Sequence, residues 1–432
     1  MDILLINPPD CGRSTPEEDF GITSIKQIFR GEPLALEELA GNLLSDHDVR
    51  ILDLKADPDG LTAALAAKIP DLVGLTGVSC EANTVLQIAA SVKEAGVKTV
   101  VVGGIHASGD PHFFNVPAVD FIVMGLGKLS FRELVTALEN NDNSPQIPGI
   151  CQTKPGKRLT IVRRDYSRAD LVAHKAPAYH LVAEYRDHYI LPKLGLNMGF
   201  VASASGCPHD CSFCCIKGQC GGRYLTKEHE HVLRDIALLD SIPVIRLIDA
   251  NTFGNPEQAL RLGEMILESG LQKQFLADVR SDTVVKHPEM MALWRQAGLR
   301  AVIIGFEEMD DARLTAMNKK NRAAINRQAV TVLHELGITI VGDFIISPDY
   351  SAADFERLGD YLLASEIDLP MLTVLTPLPG TDLHREMRAE ITNHNLDYYT
   401  LTNAVTPTKL PEQEFYSHYA RLIELGHKGA RL

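Results

Sequence analysis

No run of apolar residues in this 432-residue chain is long enough to cross a bilayer, so no integral membrane segment is expected. Basic side chains are in the minority, with 42 Lys and Arg against 56 Asp and Glu and a net charge of −14. A general nucleic-acid binder needs a basic footprint, and that class is disfavoured. A small anionic ligand is not excluded, because local potential decides its binding. Low-complexity blocks are absent, and the apolar and charged fractions are those of ordinary globular protein. Cysteine is sparse, eight in the chain, and no secretory signal is recognisable: Met1 to Asn7 already read as a strand. A disulfide framework is therefore not expected, and the expected location is the reducing cytoplasm. The length suits two to three domains.

Three of those cysteines stand together in Gly206-Cys207-Pro208-His209-Asp210-Cys211-Ser212-Phe213-Cys214. Three thiolates on so short a loop can wrap one face of a 4Fe–4S cube and leave one iron open to a substrate or cofactor. Zinc is the simpler alternative. It usually asks for paired CxxC units or added histidines; His209 lies inside the loop, no second CxxC follows, and Cys220 could serve as a fourth ligand. A non-catalytic electron-transfer protein is a further alternative, and it requires a fully ligated cluster.

Apolar periodicity divides the chain. Up to about residue 145, strands at Ile3–Ile6, Val49–Asp53, Leu72–Thr76, Thr99–Val102 and Phe121–Met124 alternate with helical stretches. That alternation predicts a doubly wound parallel sheet of α/β class, with ligands at the carboxyl ends of its strands. Glycines and small polar residues cluster at those ends: Asn7-Pro8-Pro9, Thr76-Gly77-Val78-Ser79, Gly103-Gly104-Ile105-His106 and Gly125-Leu126-Gly127. Each glycine pair alone reads as a tight turn; four such segments on one edge point to a flat, bulky ligand. Residues 146–195 read as a connector, with a small hairpin over Ile147–Arg164 whose basic residues suit a solvated loop. From residue 196 to 385, six further strand–helix units predict an open (β/α)6 barrel with active residues at the strand ends, directly where the cysteines fall. Residues 386–432 read as a helical tail covering the barrel's open side.

The cysteine string, followed in order by Ile248-Asp249-Ala250-Asn251, Asp278-Val279-Arg280, Ile304-Gly305-Phe306-Glu307-Glu308 and Thr376–Thr381, resembles the radical S-adenosylmethionine core. The glycine-edged first third resembles the cobalamin-binding domain of the cobalamin-dependent members of that superfamily. The resemblance implies a 4Fe–4S cluster on Cys207, Cys211 and Cys214. It implies S-adenosylmethionine held by Phe213, Asp249, Asn251, Arg280 and Glu307, with Glu308 turned away by strand alternation. It implies cobalamin held by Pro8, Gly77, Ser79, Gly103, Gly104, His106, Gly125 and Gly127. Two departures stand out: no Asp-x-His-x-x-Gly string is present to offer cobalt a histidine, and Lys128 follows Gly-x-Gly where family members usually carry Glu. The implied activity is methylation of an unactivated carbon of a small-molecule or lipid substrate through a 5′-deoxyadenosyl radical and methylcobalamin. An oxidative cyclase or rearrangement enzyme with the same cofactors is the alternative. An electron donor such as flavodoxin or ferredoxin is the implied partner, and no side chain is singled out as a catalytic acid, base or nucleophile.

Overall fold

The computed structural model describes residues 1–22, 31–172, 175–191 and 196–428. The last connector residues, 192–195, and the end of the tail, 429–432, lie outside the described residues. Strands β1 (Asp2–Asn7), β2 (Asp48–Asp53), β3 (Leu72–Leu75), β4 (Thr99–Val102) and β5 (Phe121–Val123) form the expected parallel sheet in the order β2-β1-β3-β4-β5. Alternation along β1 sends Ile3 and Leu5 to one face and Leu4 and Ile6 to the other, and both faces are buried. The chain reverses its winding between β1 and β3, and a crevice opens at their carboxyl ends.

Strand β6 (Ile150–Gln152), assigned from sequence to a connector hairpin, adds antiparallel to β5 as a sixth strand. Three residues carry too little periodicity to be told from a hairpin arm; pairing with the exposed edge of β5 decides their place. The sheet therefore runs past residue 145. The rest of the connector is a wedge. Within Tyr179–Tyr189, Tyr189 donates to Asp53 at 2.8 Å, Tyr179 to the Phe200 carbonyl at 2.9 Å, and Arg186 pairs with Glu32 at 2.7 Å.

In the second half, β8 (Leu196–Val201), β11 (Val244–Leu247), β12 (Gln274–Val279), β13 (Leu299–Glu307), β14 (Thr339–Ile346) and β15 (Leu369–Val374) are all parallel, in chain order, the open barrel predicted. A short strand β7 (Ile190–Leu191) pairs antiparallel with β8, and β9 (Ala204–Gly206) with β10 (Tyr224–Thr226) frames the cysteine loop. The tail carries a helix, Glu412–Lys428. That helix packs on the edge strand β15, with Tyr419 donating to the Leu372 carbonyl at 2.9 Å. Before that helix, Leu396, Tyr399 and Val405 are buried against the first sheet. The two sheets share one continuous apolar core through helix Leu34–Gly41 and the Tyr179–Tyr189 wedge. Among the described residues no helix is long and apolar enough to cross a membrane.

Candidate active site

The cysteine loop leaves β9 through Gly206, whose φ of 82° and close approach to the Arg223 carbonyl leave no room for a side chain. Cys207, Cys211 and Cys214 are half-buried and free. Burial pushes the Cys214 thiol up to about 12 and raises that of Cys211, where Lys319 and Arg280 act in the opposite direction. Among the described residues no three His, Cys, Asp or Glu side chains close around a single ion. Thiolates that each hold a different iron of a cube need not converge in that way.

The segment Met317–Lys320, which follows the two glutamates, braces the loop. Ser212 N–H donates to the Met317 carbonyl at 3.1 Å, Asn318 Nδ2 to the Asp210 carbonyl at 2.9 Å, and Lys320 pairs with Asp210 at 2.7 Å. Asn318 and Lys320 hold φ of 51° and 52°, so the backbone turns sharply to reach the loop. Lys319 points inward and pairs with Glu307 at 2.6 Å. Glu307 itself has φ 63°, at a register shift between β13 and β14, and its carboxylate folds back over Gly305, where a Cβ would collide with it. The expected separation of Glu307 and Glu308 therefore arises from a bulge rather than from regular alternation. Glu308 goes into the barrel wall, where it accepts from Tyr350 at 2.6 Å.

The remaining candidates divide by their commitments. Arg280 is buried and already donates to Asp282 at 2.9 Å and to the Lys319 carbonyl at 2.8 Å, beside Cys211. Asp249 spends its carboxylate on the loop after β8, accepting from Ser203 N–H at 2.7 Å, Ser203 Oγ at 2.5 Å and Ala204 N–H at 2.8 Å. Asn251 differs: it is 2% exposed, and both atoms of its amide are buried without a hydrogen-bond partner. Phe213 is half-buried on the loop between two of the cysteines. Asp349 and Tyr350 belong to a cluster with Arg313 and Glu308, and Tyr224 donates to the Thr252 carbonyl at 3.2 Å.

Between the two sheets lies a cleft with about 1160 Å³ of unfilled space, part of it open to solvent. Gly103, Gly104, Gly125 and Gly127 from the first sheet face Ala204, Gly206, Ile216 and Asp249 from the barrel across it. Pro8, Gly77, Ser79 and His106 do not line it. His106 is turned into the protein, with Nδ1 3.0 Å from Ser79 Oγ and its ring edge-on to Phe113 and Phe114. Burial lowers its pKa to about 4 and keeps it neutral. Gly77 is packed beneath Gly104, whose own Cβ would strike the Gly77 backbone. The donor sets fit the implied groups: three thiols on one short loop suit a cube, and the glycine edge suits a flat ligand. An unpaired buried amide, that of Asn251, stands in the turn after β11.

Residues 19–135 match the B12 binding domain and residues 201–362 the radical SAM superfamily. An uncharacterised methyltransferase of Pyrococcus horikoshii is 30% identical, over 89% of this chain and 82% of its own length. The chain belongs to the cobalamin-dependent radical S-adenosylmethionine enzymes. Within that family, the hopanoid C-3 methylase of Methylococcus capsulatus is 26% identical over 93% of this chain and 78% of its own length. The fold is that of the radical S-adenosylmethionine methyltransferase TsrM from Kitasatospora setae, solved with cobalamin and a [4Fe-4S] cluster bound. The TM-score is 0.72 at 17% identity, over 98% of this chain and 88% of that one. In this radical S-adenosylmethionine enzyme the cysteine motif follows Gly206 at the head of the second sheet, and glycines of the matched B12 binding domain lie across the cleft from Gly206.

Proposed function

We propose that this enzyme methylates an unactivated carbon of a small-molecule or lipid substrate in the cleft between its two sheets. The observation that carries the reading is that one cavity is walled by the glycine edge of the B12-binding sheet and by the start of the radical barrel. When bound, the cluster supplies an electron, S-adenosylmethionine a hydrogen-abstracting fragment, and cobalamin a transferable methyl group. The chain's own part is to bind, orient and exclude water. Cys207, Cys211 and Cys214 hold the cluster. Phe213 offers a flat apolar face to an adenine. Arg280, Glu307 and Asn251 hold the polar end of S-adenosylmethionine, and Asp249 acts on it through the loop it pins. Gly103, Gly104, Gly125 and Gly127 seat the corrin. Ile248 lines the cleft yet is 41% exposed, which supports an apolar group on the substrate. We place the division of the chain after β6, near residue 152, with the barrel beginning at β8. A flavodoxin or ferredoxin in the cytoplasm suits the electron supply.

The test is anaerobic reconstitution with iron, sulfide and cobalamin, followed by turnover with methyl-labelled S-adenosylmethionine and candidate substrates. Label in a product with one added carbon supports methylation. Oxidised or rearranged product of unchanged carbon count sinks it in favour of a cyclase-type reaction. A cluster whose spectrum ignores S-adenosylmethionine would point to electron transfer instead.

A further inference from the structure

The floor of the cleft carries two charges that the reading above does not use. Lys128 and Glu38 both line the cavity, and their side chains are each 9% exposed and 2.6 Å apart. Glu38 also meets Lys227 at 3.4 Å, Lys227 meets Asp235 at 2.8 Å, and Asp235 meets Arg234 at 2.7 Å, so three cations and two carboxylates run from the first sheet into the barrel, with Arg234 at the end away from the cavity. Lys128 is badly placed for stability. It opens helix Lys128–Glu139, where the helix dipole disfavours a cation, and burial pulls its pKa down. An ammonium has three donors, and among the described residues the only ion-pair partner of Lys128 is Glu38. A buried ammonium with donors to spare, lining a cavity, is a binding group.

The charge balance says for what. An isolated cation would select an anion, whereas Lys128 is neutralised by Glu38 beside it. Such a pair offers a donor and an acceptor side by side, the complement of a neutral primary carboxamide, whose oxygen accepts and whose NH2 donates. The rim of a corrin ring is set with carboxamides. We propose that Lys128, with Glu38, grips a carboxamide side chain of the cobalamin and so fixes how the ring is seated in the cleft. This rests on the assignment of cobalamin to this cleft. It makes Lys128 a positioning residue for the ring.

The experiment is anaerobic titration of the chain, its cluster reconstituted, with hydroxocobalamin alone, followed by visible absorbance. Lys128→Met should weaken cobalamin binding about tenfold or more, the loss of one hydrogen bond to a charged group. Iron per chain and the response of the cluster to S-adenosylmethionine should be unchanged. Lys227→Met breaks the same network away from the cavity, and should lower the thermal midpoint while leaving cobalamin affinity within about twofold of wild type. Equal cobalamin affinity for wild type and Lys128→Met would overturn the proposal. Equal weakening by both variants would also overturn it, by showing that the network only holds the floor together. If Lys128→Met does not fold, the double variant Lys128→Met, Glu38→Gln removes both charges of the pair and carries the same expectation. Failure of the wild-type chain itself to take up cobalamin would instead remove the cofactor assignment on which the proposal rests.

Discussion

Glu307 and Lys319 form a buried pair 2.6 Å apart beside the cysteine loop. Replacing Glu307 with Gln strands a cation in a desolvated site, so stability should fall by about 3 kcal/mol in chemical denaturation. Adding Lys319→Met should recover most of that loss but not the binding of S-adenosylmethionine, which separates the two contributions. His106 supplies a pH test. Its folded pKa, about 4, lies below the ordinary 6.5, chiefly through burial, so the unfolded chain takes up a proton first as pH falls. Its contribution is present above about pH 6.5 and is lost progressively down to about pH 4, by up to about 3 kcal/mol. His106→Gln should lose less stability than wild type between pH 7 and 4.5, and parallel denaturation curves would refute this. At this scale the sequence was partly legible. The cysteines stood out by spacing, and Arg280 and Glu307 by the family resemblance, but His106 at a polar strand end could face the ligand or simply be hydrogen-bonded. Only the packing of Phe113 and Phe114 around it turned it inward.

The element that matters most to the cluster is the turn Met317–Lys320, which grips the cysteine loop from outside the motif. Asn318→Ala removes its hydrogen bond to Asp210 and puts a residue less tolerant of positive φ at 51°. The combined cost should be roughly 2 kcal/mol, felt locally. Iron retained after reconstitution and gel filtration should drop, and cluster loss on exposure to a chelator should quicken. Wild-type retention would show that the loop stands without its brace. Nothing in the sequence near residue 318 announces this contact, because its partner lies 108 residues earlier. The parallel strands, by contrast, were legible because their apolar runs are continuous and both sheet faces are buried. Strand β6 was not, being too short to have a period.

For the whole molecule, the decisive contact is between the halves. Helix Ile105–Gly109 of the first sheet lies against the loop Thr376–Thr381 so closely that Gly109 has no space for a Cβ beside the Pro379 carbonyl. Across that contact Gly380, at φ 88°, would place a Cβ 2.5 Å from the Gly109 Cα. Gly109→Val should push the halves apart at this point, costing about 1–3 kcal/mol in thermal or chemical unfolding. Cobalamin affinity should fall with it while iron content holds, and unchanged affinity would show that the cleft does not depend on this seam. The sequence by itself determined the two α/β units, the cysteine loop at the head of the second and the glycine edge of the first. Local periodicity and short-range spacing are enough to specify those. Only the tertiary structure decided that both edges wall one cleft, that the connector is a wedge and that Lys128 meets Glu38 on the floor. Those facts depend on contacts between residues far apart in the chain, which no local pattern encodes.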